Sequence, residues 1–411
     1  MAEPHKVEGV ECGMRRQSTI TERSSFIGID YHKRYSVFCV LDPQGGVLER
    51  GRIDHLWPEQ FIELVRRWPG CRVVFEVCMN WHWLLEILEE AIPREDIVLA
   101  NAFKTRIIAE AQIKTDKVDA RILADLLRAN LISKVHICGK ATREVKEVLR
   151  QRCFFVRQRT MMRNRIHRLL SAQHGLKLPQ CSDLFGVKGM SFLHKLELPA
   201  PAGLLLSQQL ALLREIALRI REDEKGLEGM MEASPALHYV RSIPGMGPIL
   251  AAVVVTEIDT IERFPSAQKL CGYAGLCPST SSSGGKTFQG KLLPRCNKWL
   301  RGAFVEAAWV AVGCSPYFGD FYRRKRSLGK KANSAISATA RLMARITWQL
   351  LTQRRVYASF PVNRELRCRP VCGSCSPTGL AKERQDFHKP RKLISSQQTF
   401  PSRSHTRLVG R

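Results

Sequence analysis

Four acids in this sequence stand where carboxylates could share one task. Asp30 closes the short apolar run Phe26-Ile27-Gly28-Ile29, and Glu76 closes Cys71-Arg72-Val73-Val74-Phe75. Asp116 and Asp119 lie three residues apart in Lys114-Thr115-Asp116-Lys117-Val118-Asp119-Ala120-Arg121, where a helix is expected to begin. That spacing places both on one helical face. Carboxylates that converge repel one another unless a cation lies between them. Two Mg²⁺ ions would neutralise the set and clamp both sides of a scissile phosphate. Taken singly, the residues have plainer roles: Asp116 as a helix N-cap, Asp119 as a first-turn dipole partner, and each strand-end acid as a solvated loop residue.

Two further segments bear on phosphate chemistry. Pro244-Gly245-Met246-Gly247-Pro248 precedes an apolar helix. The amides of such a glycine turn can hold a DNA phosphate, as in helix-hairpin-helix modules; a simple tight turn explains the segment equally well. The run Ser279-Thr280-Ser281-Ser282-Ser283 leads into Gly284-Gly285-Lys286. It has neither the spacing of a Walker A loop nor that of a Gly-x-Ser-x-Gly elbow, and by composition alone it reads as a flexible serine-rich loop.

The elements that must position these residues follow from pattern. Strands are expected at 26–30, 35–41 and 47–53, with Asp42-Pro43-Gln44-Gly45-Gly46 as a turn, giving an antiparallel meander. A helix over about 58–67, a strand over 71–76, a helix near 83–91 and a strand over 97–100 come next. A basic connection then leads to a helix over about 118–129. This order of elements is that of a ribonuclease H-like α/β fold, in which the first and fourth strands are central neighbours and Asp30 and Glu76 lie side by side.

Two long helical stretches, about 142–173 and 203–232, suit a helical hairpin or coiled coil. The first interleaves apolar residues with arginines that include Arg157 and Arg163. The intervening Pro179, Gly186 and Gly189 are read as turn residues. Residues 239–312 form another compact unit, and 334–353 one more helix. From 354 onward there are thirteen Lys/Arg against three Asp/Glu and little apolar residue, which reads as a disordered basic tail. Cys39, Cys71, Cys78, Cys153, Cys271 and Cys314 sit singly in apolar segments and read as core residues. Cys368, Cys372 and Cys375 have metal-like spacing, with the distant His388 as the nearest fourth ligand.

The whole chain has 411 residues and a net charge of +27, which points to a polyanionic partner, most commonly nucleic acid. No run is long and apolar enough for a membrane span, and residues 1–25 lack the apolar core of a secretory signal. The expectation is a cytoplasmic protein without a membrane partner.

Together these segments resemble the DEDD-type insertion-sequence transposases, the group guided by a bridge RNA. The resemblance rests on Phe26 to Lys33, on Lys114 to Arg121, on Ile243 to Gly247, and on Tyr273 to Leu276 continuing through Ser283-Gly284-Gly285-Lys286. It covers about residues 26–350. It implies that Asp30, Glu76, Asp116 and Asp119 are the Mg²⁺-binding tetrad of a RuvC-like domain, and that Ser283 is a nucleophile forming a phosphoserine intermediate with DNA. Lys114, Arg121, Arg157, Arg163, Gly245, Gly247 and Lys286 are the expected nucleic-acid contacts. Donor and target DNA, a guide RNA and a homodimeric or homotetrameric assembly are the expected partners. Two departures are visible: Val77-Cys78-Met79 follows Glu76 where the family has small residues, and Cys296 stands where glycine is usual.

The expected division is 1–25 as an extension, 26–140 as the RuvC-like DEDD domain, 141–235 as the helical coiled-coil region, 236–353 as a mostly α serine transposase domain, and 354–411 as the tail. The expected activity is metal-dependent DNA cleavage and strand exchange. A junction-resolvase-like nuclease, with the tetrad activating water, and an inactive nucleic-acid-binding remnant are the alternatives.

Overall fold

The computed structural model describes residues 25–108, 116–283 and 286–358. It opens with strands β1 (Phe26–Tyr31), β2 (Tyr35–Leu41) and β3 (Val47–Asp54), then helix α1 (Glu59–Arg67), β4 (Arg72–Glu76), α2 (Trp81–Glu89) and β5 (Ile97–Ala100). They build a mixed sheet in the order β3-β2-β1-β4-β5, with β1–β2 and β2–β3 antiparallel and β1–β4 and β4–β5 parallel. This arrangement is compatible with the expected ribonuclease H-like fold. The Asp42 turn forms because its Oδ1 accepts from the amides of Gln44 and Gly46, while Gly45 takes φ +93°, a conformation that costs glycine nothing.

Alternation along the strands splits the sheet into two faces. Ile27, Ile29, Phe38, Val73 and Phe75 pack with Phe61, Leu64, Leu84 and Leu88 of α1 and α2. The other face receives α4 (Asp116–Arg128), which follows α3 (Ala102–Ile108). There Ala120 and Ala124 meet Val37, Cys39 and Leu41, and Leu123 and Leu127 meet Val74 and Val98. The expected basic connection after β5 thus contains a short helix. Asn101 starts it by accepting the Lys104 amide on Oδ1 at 3.1 Å.

The middle of the chain is α5 (Lys140–Ser171), α6 (Val187–Lys195) and α7 (Ala202–Met231). Ile166 and Leu170 pack with Leu206, Leu210 and Leu213, while Val145 and Leu149 share a core with Leu227 and Met231. α5 and α7 are therefore antiparallel, as a helical hairpin requires. The residues between them do more than turn. Gly186 is the N-cap of α6, but Gly189 lies inside it, where a Cβ would stand 2.1 Å from the Leu184 carbonyl oxygen. Its lack of a side chain serves close packing.

The remaining elements are α8 (Pro235–Arg241), α9 (Pro248–Ile258), α10 (Ala267–Tyr273), the hairpin β6 (Pro278–Ser283) and β7 (Lys286–Leu292), α11 (Lys298–Cys314), α12 (Pro316–Ser327) and α13 (Ala332–Gln353). The stripe Ala303, Ala307, Ala308 and Ala311 on α11 is buried with Val254, Ile258, Phe318 and Met343. The serine run forms one strand of an antiparallel pair, a correction to the flexible-loop reading.

The described cysteines are free. Cys39, Cys71 and Cys271 are buried, Cys78 and Cys153 half-buried, and Cys314 is exposed at the last position of α11, beyond its alanine stripe. Burial pushes the Cys71 and Cys271 thiols up to about 11. Cys368, Cys372, Cys375, His388 and almost all of the expected tail lie outside the described residues. Among the described residues no helix is long and apolar enough to cross a membrane.

Candidate active site

The sheet and α4 together assemble an acidic edge. β1 and β4 run in register from Phe26 beside Arg72 to Ile29 beside Phe75, so Asp30 and Glu76 stand one rung further at the same edge. Period-two alternation puts Asp30 on the face of Gly28 and Glu76 on the face of Val74. Both acids therefore belong to the face that α4 covers.

Gly28 allows α4 to come that close. A Cβ there would lie 2.1 Å from the Ala120 carbonyl oxygen and 2.6 Å from the Ala124 amide nitrogen. The helix backbone rests on the strand backbone, with half-buried Asp119 immediately before the contact and Asp30 two residues along the strand. Asp116 opens α4, one helical turn earlier; its side chain lies outside the described set. The edge continues at β5, where Glu76 pairs with Ala100 and the Val77 amide donates to the Ala100 carbonyl at 3.1 Å. The strand end is thus paired on through the larger residues that depart from the family pattern.

Asp30 has a local partner: His32 Nε2 is 3.1 Å from its Oδ2. On the opposite face of β1, Tyr31 stacks on His55 at 4.7 Å, and His55 meets Trp83 at 4.9 Å and Ser36 Oγ at 2.9 Å. Burial lowers the His55 pKa, so this box stays neutral and holds the strand end by packing.

The donor set is made of hard carboxylate oxygens alone, which suits Mg²⁺ better than Zn²⁺. Among the described residues, however, no three His, Cys, Asp or Glu side chains gather closely enough to hold a metal. The structure aligns the elements that carry the acids and does not close a ligand shell.

The serine hairpin is organised differently. Ser283 pairs with Lys286 at the end of the ladder, across the Gly284-Gly285 link. The side chains of Ser283 and Lys286, the two glycines between them and all of Lys114 lie outside the described set. The root of the hairpin is tied down. The Asn297 amide donates to the Tyr273 carbonyl at 2.9 Å, and Arg301 donates to the Ala274 and Leu293 carbonyls. Gly275, at φ +64°, lies against Cys296 and Arg301, where a Cβ would sit 2.6 Å from the cysteine sulfur.

Asn297 is the hub of this root. Its Oδ1 accepts from the Leu300 amide, capping α11, and its Nδ2 donates to Glu257 Oε2 at 2.8 Å. Glu257 is 5% exposed on apolar α9, and it also accepts from Arg150 Nη2 at 2.6 Å and lies 3.6 Å from Lys146 Nζ. Burial pushes its carboxyl up, but Lys146, Asn297 and Arg150 outweigh that and hold it below the usual carboxylate value. Two residues on, Asp259 accepts from Thr142 Oγ1 at 2.9 Å and contacts His136 Nε2 at 2.7 Å. The C-terminal end of α9 is therefore fastened to the start of α5. Beyond it, Arg295 crosses to α3, its guanidinium carbon 3.4 Å from the Phe103 ring centroid.

The expected nucleic-acid contacts fall in different settings. Arg121 is exposed and pairs with Asp125 at 3.6 Å on its own helix. Arg157 is exposed and lies 5.9 Å from the Trp299 ring, while Arg163 rests over Phe185 at 4.9 Å. Gly245, at φ +84°, is pressed against α11, where a Cβ would stand 2.5 Å from the Ala307 carbonyl oxygen; around Gly247, the N-cap of α9, a Cβ would meet nothing within 4 Å. Only the second glycine of the turn leaves room for a phosphate.

Reading residue types missed the Glu257–Asn297–Arg150 joint and the Arg295–Phe103 contact. A lone carboxylate in Pro248–Ile258 was the available signal, because such a group must be paired when buried. So was asparagine one residue before a helix.

A mixed α/β unit with an acidic edge is followed by a helical module that carries a serine hairpin, the order of segments that the transposase resemblance implies. Comparison with known families agrees. The DEDD transposase model matches residues 27–174, and the model of the IS116/IS110/IS902 transposase family matches residues 237–323. The chain is thus similar to insertion-sequence transposases along both of these segments.

Relatives include the transposase for insertion sequence element IS1111A of Coxiella burnetii, 26% identical over 80% of this chain and 90% of that protein. The insertion element IS116 44.8 kDa protein of Streptomyces clavuligerus is 28% identical over 38% of each chain. The insertion element IS110 43.6 kDa protein of Streptomyces coelicolor is 31% identical over 34% of this chain and 36% of its own. The chain thus spans little more than a third of the two Streptomyces proteins and most of the Coxiella one.

Proposed function

We propose that this protein is a DNA transposase that moves an insertion sequence by cutting and rejoining DNA through Ser283. One observation carries the reading: Asp30 and Glu76 end neighbouring parallel strands on the sheet face where Gly28 seats the helix of Asp116 and Asp119. The division follows the units above, with 26–140 as a RuvC-like DEDD domain, 141–235 as the helical region and 236–353 as the serine module.

Asp30, Glu76, Asp116 and Asp119 would hold Mg²⁺. When bound, Mg²⁺ supplies positive charge against the scissile phosphate and the carboxylates. Ser283 Oγ attacks phosphorus, forming an Oγ–P bond as one P–O bond to a deoxyribose breaks. The seryl proton is lost and the departing sugar oxygen gains one. A DNA hydroxyl then attacks the phosphoserine, restoring a P–O bond to DNA and releasing the serine. The number of phosphoester bonds is conserved, so no external energy source is needed. Asn297, Arg301 and Glu257 position the root of the hairpin. Donor and target choice through a structured RNA, in a homodimer or homotetramer, completes the proposal.

A plasmid recombination assay with the element's flanking non-coding DNA, read together with trapping of covalent protein–DNA product, tests it. Wild type is expected to give recombinants and an adduct. Ser283→Ala and Asp116→Asn are expected to give neither while still binding DNA. An adduct that persists in Ser283→Ala shows that the nucleophile is another residue. Mg²⁺-dependent cutting by wild type without any adduct would convert the reading to a nuclease.

A further inference from the structure

The loop after β4 holds an apolar side chain beside the acidic edge that the packing of the fold does not use. Val77-Cys78-Met79 follows Glu76 where the family pattern has small residues. Met79 is 94% exposed, the highest value of any large apolar side chain among the described residues. Burial would favour such a side chain, and the folded chain gains nothing by leaving it in water. Three residues after Glu76, its Cα stands within about 11 Å of the Cα of that acid.

The loop around Met79 is braced. The Val77 amide donates to the Ala100 carbonyl at 3.1 Å, and the Trp83 amide donates to the Asn80 carbonyl at 3.1 Å. Trp81 and His82 stack at 3.8 Å in the first turn of α2. Cys78 is half-buried beside Tyr31, whose phenol is raised by burial and then by that neighbour. With Cys78 turned in and both ends tied, Met79 projects from a fixed stem.

The setting selects what this projection can meet. Asn80, next in the chain, is an exposed amide. One protruding side chain is far below the area that a stable protein interface needs. It matches the gap of a single base step. Lys33 and Arg34, in the β1–β2 turn, and Lys104, on α3, are exposed at the same edge, on opposite sides of the β1–β4 pair. Cations that flank an apolar point suit the phosphates on either side of a base step. Leu56 and Trp57 are exposed at that edge too, but they follow β3, two strands from Asp30. Methionine is unbranched and polarisable, and it is among the side chains that enter between stacked bases.

We propose that Met79 is a wedge that enters the DNA base step next to the scissile phosphate and unstacks it. A strand that is cut must leave its duplex before it can be joined elsewhere, and stacked bases resist that. The acids hold the phosphate, and Met79 opens the step beside it. The inference rests on the reading in which the acidic edge acts on DNA.

The test uses full-length protein on duplexes that span the junction of element and flank, with the transcript of the flanking non-coding strand present. The fluorescent base 2-aminopurine replaces one base at a time across the junction. Sequencing the DNA end of the trapped adduct locates the scissile phosphate. Wild type is expected to raise the fluorescence about threefold at a base flanking that phosphate, and Met79→Ala to remove the rise. Met79→Ala is expected to bind and melt as wild type does and to form the adduct about tenfold more slowly on paired DNA. Met79→Leu is expected to keep the wild-type rise and rate. A mismatch at that step should return Met79→Ala to within about twofold of the wild-type rate, because the step is then already open, and a merely structural role would not be rescued in this way. Equal slowing on paired and mismatched DNA overturns the proposal, as does an unchanged rate in Met79→Ala. So does loss of the wild-type oligomer in Met79→Ala, which would make the side chain a subunit contact. If wild type forms the adduct without a Met79-dependent rise, only the wedge fails. If the Met79-dependent rise occurs without an adduct, only the transposase reading fails.

Discussion

The acidic edge and the serine hairpin are held in place by opposite means. Asp30 and Glu76 extend from strands whose inner residues Ile27, Ile29, Val73, Val74 and Phe75 are fully buried, and the helix of Asp119 is seated backbone to backbone at Gly28. Ser283 ends a ribbon that has two strands among the described residues, with Thr280, Ser282, Gly290 and Lys291 exposed. Among the described residues, that ribbon is tied down at its root, through Asn297, Arg301 and the buried Glu257. Packing sets the acids; hydrogen bonds and one ion-pair cluster set the base from which the serine extends. The acids gain rigidity from a core, whereas an isolated two-stranded ribbon has little stability of its own and takes its direction from its anchor.

Breaking each support separately sharpens the contrast. The largest effect is expected for Gly28→Ala. The added Cβ would meet the Ala120 carbonyl oxygen and the Ala124 amide, backbone atoms that no rotamer change can move. Overpacking of this kind should cost about 3 kcal/mol and lift α4 from the sheet. Hydrogen exchange should then rise across Asp116–Arg128 while α9 and α11 keep wild-type protection. Equal protection of α4 in the variant would show that the glycine contact does not seat the helix.

Glu257→Gln comes next. It removes the counter-charge from Lys146 and Arg150 while keeping the side-chain shape. The expected loss is about 2 kcal/mol, less than for a fully buried pair because over a third of the Arg150 side chain is exposed. Exchange should increase at the start of α11 and leave α4 alone. The same carboxylate sets a pH dependence. Its pKa is held below the ordinary value of 4.5, so its contribution is complete above that pH and is lost as pH falls through the lower, folded value. Protection at the α11 start should therefore fall as pH drops below about 4.5 in wild type. It should show no such step in Glu257→Gln, and an identical step in both proteins would assign the titration elsewhere.

The same contrast explains what could be read before the structure was seen. Buried strands ending in acids are visible because apolar runs and turn residues alternate along the chain. The order β3-β2-β1-β4-β5 then brings Asp30 beside Glu76. The hairpin was less visible because a run of serines has no apolar face, and its pairing comes from the ladder alone. Gly284-Gly285 between two short runs was the one local hint of a two-residue turn. Gly189 and Gly28 show the limit of reading glycine as a breaker: each admits another backbone, and only the tertiary neighbour reveals it. Asp116 and Asp119 stood out by type and spacing and Ser283 only through the family resemblance; what would aim them, Gly28 for one half and Glu257 with Asn297 for the other, is set by contacts between distant segments.

The smallest expected effect concerns a direct contact between the hairpin root and the elements beside the acidic edge. Arg295, two residues before the Asn297 hub, lies over Phe103 on α3, which begins two residues after β5 ends beside Glu76. Phe103 is 44% exposed, so the pair is solvated and should contribute about 0.5 to 1 kcal/mol. A double-mutant cycle on Arg295→Ala and Phe103→Ala, read through the rate of adduct formation, measures it. Each single change should slow the adduct by about two- to fivefold, the double no more than either single, and Arg295→Lys should recover part of the rate. A purely local role for either residue would make the two effects multiply. Multiplicative losses would leave α5 and the Glu257 joint as the link between acids and serine, whereas a coupled pair shows that the hairpin root is also indexed to the acidic edge itself.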